Sequence, residues 1–338
     1  MTAEMAELGA APPRPARAPL GRALRALLAI LGLTVVVWAL VAGWPQVVHA
    51  VSALRGANVP LMATAVVAQA GALAMLGRVY RQCVATSGGS VSERDAAGVA
   101  LRAYAVSRML PGGGAAAAIF AAQRLRRGGV ADGPAVTGVA LTGVITMTTL
   151  AMIVGLTALQ AAAAPWWAVA ILGVGAFAGA GGGLLLLHAG GARRRLLGVA
   201  GRLRRRPALA VWASALEALA ERPPRPGAVA AAVGCSAAAW VCELAALWLA
   251  IAAVGATLPM STVALALGAA NAAVAVPHTP GGIGVVEVAM TGTFAALGVQ
   301  AAPALAGVLA YRLVAFWVPV AVGASLLACD GVRRRRRS

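Results

Sequence analysis

Pro277-His278-Thr279-Pro280-Gly281-Gly282-Ile283-Gly284 interrupts an otherwise apolar stretch running from Met260 to Val299. An apolar half, Ser261–Val276, precedes it, and a second half, Val285–Leu297, follows. Neither half reaches the roughly 20 residues a helix needs to cross about 30 Å of hydrocarbon. Proline removes a helical donor, and a run of glycines has no cost in leaving helical geometry. Irregular backbone at membrane depth costs several kcal/mol per unpaired group, so it survives only where protein or a water-filled cavity satisfies it. The stretch therefore predicts a helix–break–helix hairpin that dips into a bilayer and returns. Its flanks, Ala256–Pro259 and Gly298–Ala302, carry no basic residue.

The same anomaly occurs earlier in the chain. Gly98 to Gln123 is only intermittently apolar, holds Arg102 and Arg108, and breaks at Pro111-Gly112-Gly113-Gly114. Arg124, Arg126 and Arg127 close it, so arginines flank both of its ends. The ends of this hairpin are expected on one side of the membrane, with helices restarting at Ala115 here and at Val285 in the second break.

Between the hairpins lie longer apolar runs. Spans are expected at about 24–43, 59–76 (closed by Arg78 and Arg81), 134–159, 166–188, 228–254 and 303–327, with a polar loop over 82–97. The Arg22 and Arg25 pair ahead of the first run also resembles a signal peptide, but the run exceeds a usual signal core and further spans follow. Composition agrees: 61% of the 338 residues are hydrophobic and 11% charged, at a mean hydropathy of +0.84. Soluble domains carry about a quarter charged residues, so a water-soluble globule is excluded. The fold class expected is an all-α polytopic membrane protein, with about six transmembrane helices plus two broken re-entrant hairpins in an inverted repeat. Residues 1–23 read as a disordered basic terminus and 24–328 as the membrane domain, with halves of about 24–160 and 165–328. An Arg-rich loop spans 189–227 and a basic tail 329–338.

All 28 basic residues are arginine, giving a formal net charge of +18. On a soluble protein this excess would suggest nucleic acid. Here the arginines cluster between apolar runs, and positive-inside accounting applies instead. Only Arg55 falls in an expected outside loop and Arg312 within a span, so both termini are expected in the cytoplasm. The hairpins then enter from opposite sides, one in each half, which is the pattern of an inverted-topology repeat.

A helix restarting after a Gly-rich break aims free N–H groups and its positive dipole end at whatever fills the cavity. An anion, most naturally a lipid phosphate, is the expected guest, and Pro111, Gly112, Gly113, Pro280, Gly281, Gly282 and Gly284 are the expected backbone lining. Ionisable residues inside apolar segments are functional candidates. Arg108 and Arg312 would hold a phosphate by charge-assisted bonds, with Tyr311 beside them. Glu287 pairs with an arginine or takes a proton in this reading, and a buried Arg312–Glu287 pair that only fixes helix register is the alternative. Glu243 and His278 are further proton or pairing candidates. The cysteines (Cys83, Cys235, Cys242 and Cys329) have neither zinc nor CxxC spacing, so no metal or disulfide framework is expected.

The run Pro277–Glu287, with Leu297-Gly298-Val299, Tyr311-Arg312-Leu313 and Asn271 upstream, resembles the C-terminal signature of the lysylphosphatidylglycerol synthase transmembrane-region family. These flippase-like proteins include the membrane half of bacterial multiple peptide resistance factors. The resemblance spans about residues 20–330. The first break departs from it: family members often carry Asn before the Pro and Gly-Glu after it, where this chain has Arg108 and Ala115. The soluble aminoacyl-transferase domain of the full synthases is not found in these residues. The resemblance thus implies lipid translocation or lipid-linked substrate handling and argues against lysyl transfer.

The expected function is translocation of a phospholipid or polyprenyl-phosphate-linked lipid between leaflets of the bacterial inner membrane, without enzyme activity or cofactor. The alternative is a non-transporting membrane partner whose Arg loop and tail dock a cytoplasmic lipid- or envelope-modifying enzyme. Membrane lipids are the expected partners, a homodimer or an enzyme partner is admissible, and nucleic acid is not expected.

Overall fold

A computed structural model describes residues 52, 54–110, 113–161, 175, 194, 197–202, 217, 225–274 and 280–335. Regular structure among them is entirely helical. The first half supplies α1 (Val59–Thr86), α2 (Glu93–Met109), α3 (Gly113–Arg127) and α4 (Asp132–Ala161). The second supplies α5 (Pro226–Ala253), α6 (Met260–Val274), α7 (Val285–Ala296), α8 (Ala301–Arg312) and α9 (Val318–Arg335). A π-turn, Leu313–Trp317, joins α8 to α9. Four helices are long and apolar enough to cross a membrane: Val59–Thr86, Asp132–Ala158, Gly227–Ala253 and Pro303–Val332. The chain is an all-helical, polytopic membrane protein. The expected span 24–43 lies outside the described residues, as do almost all of 166–188 and most of the loop 189–227.

Several expected boundaries move. α1 does not stop at Leu76 but runs on through Arg78 and Arg81 to Thr86. Both guanidiniums reach an exposed Glu93 carboxylate, at 3.8 Å and 3.2 Å, so their heads stay solvated while the helix continues beneath them. The polar loop shrinks to Ser87–Ser92, because Ser92 caps α2: its Oγ accepts from the Asp95 N–H at 3.1 Å. Glu93 and Asp95 in the first turn complement the helix dipole. α3 begins at Gly113, two residues ahead of Ala115, and the closing helix extends to Arg335.

Both hairpins form. α2 packs on α3 and α6 on α7. The sequence of long helix, hairpin, long helix then occurs twice, as α1–α4 and as α5–α9. The halves meet along α1 and α5, which run antiparallel. The Asn58 N–H at the start of α1 donates to the Ala253 carbonyl at the end of α5, at 2.8 Å. Gln69 meets Glu243 in the middle, and Cys83 shares a core cluster with Ala232 near the start of α5. Corresponding helices therefore point in opposite directions, and the halves are inverted. The exchange is reciprocal, since α4 packs on the second hairpin through α6 and α9 packs on the first through α2.

Small residues make this packing possible. Gly77 lies so close to Ala97 that an added Cβ would stand 2.8 Å from its Cα, and Gly138 approaches the Val84 backbone at 3.0 Å in the same sense. Close backbone approach of this kind is how helices associate where lipid removes the hydrophobic driving force. The first hairpin is further tied to α9 by Asp330, whose Oδ2 lies 3.0 Å from Arg102 Nε and 3.1 Å from Arg124 Nη1. All three side chains are less than a third exposed. Asp330→Asn should remove both pairs and lower stability by about 1 kcal/mol. In detergent this would read as a Tm lower by about 2–4 °C.

Candidate functional site

The inverted halves enclose a cavity of about 230 Å³. α1, α2, α4, α5, α6, α7, α8 and the π-turn all line it, so each half contributes wall. Leu73, Leu76, Met147, Leu267, Val274 and Met290 make its apolar side. Its polar groups are few: Tyr104, Ser107, Arg108, Thr146, Trp240, Glu243, Asn271, Tyr311 and Arg312. An apolar chamber with a handful of convergent polar groups is the usual form of a ligand site.

The second break is the wall behind this chamber. Gly281, Gly282 and Gly284 take φ of 63°, 64° and 85°, a left-handed run that side chains resist. Gly281 sits against the Arg108 carbonyl and the Phe316 ring, so the second break touches the end of α2 at the edge of the first. Arg312 and Glu287 hold it in place. Arg312 Nε lies 2.7 Å from Glu287 Oε1, while Nη1 and Nη2 each donate to the Gly281 carbonyl at 3.3 Å. Glu287 Oε2 in turn accepts from the Gly284 N–H at 2.8 Å. The guanidinium stacks 4.3 Å from the centre of the Phe316 ring. Both side chains are almost fully buried, at 3% and 7% exposure. Three Arg312 nitrogens are thus committed to protein partners, which bridge the two ends of the break.

Arg108 is held differently. It donates to the Tyr104 hydroxyl at 3.1 Å, lies 4.8 Å from the centre of the Tyr104 ring, and forms no ion pair with a carboxylate among the described residues. Tyr104 itself donates to the Ala315 carbonyl at 2.7 Å, tying α2 to the π-turn. Opposite, Glu243 accepts from the Tyr311 hydroxyl at 2.5 Å and from Gln69 Nε2 at 3.0 Å. Asn271 donates back to the Leu267 carbonyl at 2.9 Å and lines the cavity.

The family model described as Lysylphosphatidylglycerol synthase TM region matches residues 18–323 of the chain, nearly all of it. The chain belongs to this family. No curated protein matches it at a significant level. The family makes it a membrane protein of lipid-related function.

In this family member the expected residues divide into two sets. Arg108, Asn271, Glu243, Tyr311 and Arg312 converge on the cavity. Gly113, Gly281, Gly282, Gly284 and Glu287 are not among its described lining; Gly281, Gly282 and Gly284 shape the break that backs it. Pro111, Gly112 and His278 lie outside the described residues. Sequence reasoning missed Tyr104, Gln69 and Trp240. A signal for the first was present, since Tyr104 stands one helical turn before Arg108 and tyrosine occurs only three times in the chain. Gln69, a lone amide in an apolar span, was a second.

Proposed function

We propose that the chain is a flippase-like translocator that carries a lipid phosphate headgroup, on a phospholipid or a polyprenyl carrier, between the leaflets of a bacterial inner membrane. One observation carries the reading: Arg108, a guanidinium without a carboxylate partner among the described residues, stands in a chamber walled by both inverted halves. A partly buried guanidinium that no described carboxylate touches leaves donors open, and a phosphate would meet them with charge-assisted hydrogen bonds. The chamber is small and mostly apolar, which suits a headgroup whose acyl chains stay in the bilayer. Rocking of one half against the other about the α1–α5 crossing would open it to each leaflet in turn. The transport reading involves neither lysyl transfer nor a cofactor, and the arginine distribution supports both termini in the cytoplasm. A second copy of the chain and a cytoplasmic lipid-modifying enzyme are its candidate protein partners.

The test is transport in liposomes loaded with fluorescent phosphatidylglycerol or a short polyprenyl phosphate. Arg108→Met should slow movement about 10- to 100-fold, the value of a charged hydrogen-bonding contact. Arg108→Lys should recover part of it, because an ammonium supplies the charge but not the fork. Unaltered transport in Arg108→Met would remove Arg108 from the site. A wild-type protein that moves neither lipid would refute the function.

A further inference from the structure

Resting on that reading, we infer that Glu243 binds a proton whenever the chamber binds a lipid phosphate, so that the transported species is the anionic headgroup together with one proton. The chamber wall presents two arginines, Arg108 and Arg312, and one carboxylate, Glu243. Arg312 is neutralised from behind by Glu287. What remains facing the ligand is a single cation and a single anion, on α2 and α5, that form no ion pair with each other among the described residues.

Empty, the chamber is balanced: Arg108 is positive and Glu243 negative. A phosphodiester that binds Arg108 adds one negative charge, which is expensive inside a bilayer unless something compensates. Protonation of Glu243 restores the balance with no other change. An O–H bond forms on the carboxylate with a proton taken from the water of the open side, and it breaks again when the chamber opens opposite and the phosphate leaves. No electron moves and no further reactant is needed. Both states that must reorient are then electrically neutral.

The surroundings of Glu243 allow either protonation state. From α1 it meets Gln69, and from α8 it meets Tyr311, with Arg312 already paired beside it. Across the chamber α2 presents Tyr104 and Arg108. α4 contributes Thr146 and Met147, and α6 contributes Leu267, Ala270, Asn271 and Val274, none of which titrates near neutral pH. Gln69 and Tyr311 donate to the ionised carboxylate. On protonation one carboxyl oxygen becomes a donor, and the Tyr311 hydroxyl, which also has lone pairs, can reverse its bond to accept it.

Two measurements test this. In detergent and weak buffer, dihexanoyl phosphatidylglycerol is added to the full chain while a pH dye records proton uptake. The wild type should take up about one proton per bound lipid, as linkage requires, and Glu243→Gln none. Tyr311→Phe should shift the pH at which uptake is half-maximal, which a merely structural tyrosine would not do, and so serves if Glu243→Gln proves unstable. In vesicles with trapped dye, lumenal pH should change in step with lipid moved, and an imposed pH gradient should drive net movement. Binding without proton uptake by the wild type would overturn the inference, whether or not transport is seen. Proton uptake on binding without lipid movement would leave the proton site standing and refute the transport function instead. Loss of affinity for amine-bearing headgroups in Glu243→Gln, together with wild-type binding that takes up no proton, would make Glu243 a headgroup contact and end the proton role.

Discussion

Arg312→Met and Glu287→Gln are each expected to destabilise the protein by about 3–5 kcal/mol, since each strands one buried charge of a pair. Both partners are almost completely buried, and between them they grip the Gly281 carbonyl and the Gly284 N–H on the two sides of the break. The double mutant should recover most of the loss, because no uncompensated charge remains. A deficit of about 1 kcal/mol should persist from the Gly281 carbonyl, which loses its Arg312 donors. It should also transport, because Arg108 supplies the grip on the phosphate. Thermal unfolding and lipid movement measured on the two singles and the double decide the matter. A double mutant that regains stability but carries no lipid would make Arg312 a phosphate ligand and not a brace. Arg312→Lys should fold poorly in either case, since an ammonium cannot serve Glu287 and the Gly281 carbonyl in one fork.

Gly281→Ala is expected to abolish transport and to cost about 2–4 kcal/mol, combining left-handed strain with overpacking. A single methyl group here would stand 2.5 Å from the Arg108 carbonyl, and on its other side would run into the Phe316 ring. The ring can turn; the carbonyl belongs to the end of α2 and cannot yield without moving the first hairpin. Relief therefore parts the second break from the end of α2 and displaces Arg108 from the chamber. Gly129→Ala is the control. Its φ of 91° imposes similar backbone strain, but nothing lies within 4 Å of the added carbon. That variant should lose about 1 kcal/mol and keep its transport rate. Equal damage from both would reduce the effect of Gly281→Ala to a matter of backbone strain alone.

Much of this architecture was legible because its strongest signals are local. Proline and glycine punctuate both hairpins wherever they sit in space, and the arginine asymmetry follows loops whose order the sequence gives directly. Arg312 and Glu287 were readable as a possible pair because a lone charge in an apolar run requires a partner. Helix ends were less legible. Arg78 and Arg81 look like a stop, yet a long side chain lifts its charge to water and lets α1 continue for several more residues. Nor did the sequence show that Glu243 would be satisfied by Tyr311 and Gln69 and not by an arginine. That depends on α1 and α5 running antiparallel, which fixes residue 69 opposite residue 243. The separate fates of Arg108 and Arg312, both in the chamber wall but only the second clamped to a carboxylate, also depend on the tertiary arrangement.

The antiparallel crossing also sets a timetable for making the protein. Gln69 and Glu243 are 174 residues apart in the chain. At ribosomal speeds of about 5–20 residues per second, roughly nine to thirty-five seconds pass between synthesis of the first partner and of the second. Throughout that interval the early helices have their amide, their arginine and a stripe of small residues in place, with no second half to cover them. The nascent first half is thus a half-built interface, open to the insertion machinery and to other nascent copies. Since the halves are inverted images, the surface it presents is shaped for a partner running the other way through the membrane. The late arrival of α5 is therefore the step that begins to close the chamber, and α6, α7 and α8 complete its wall.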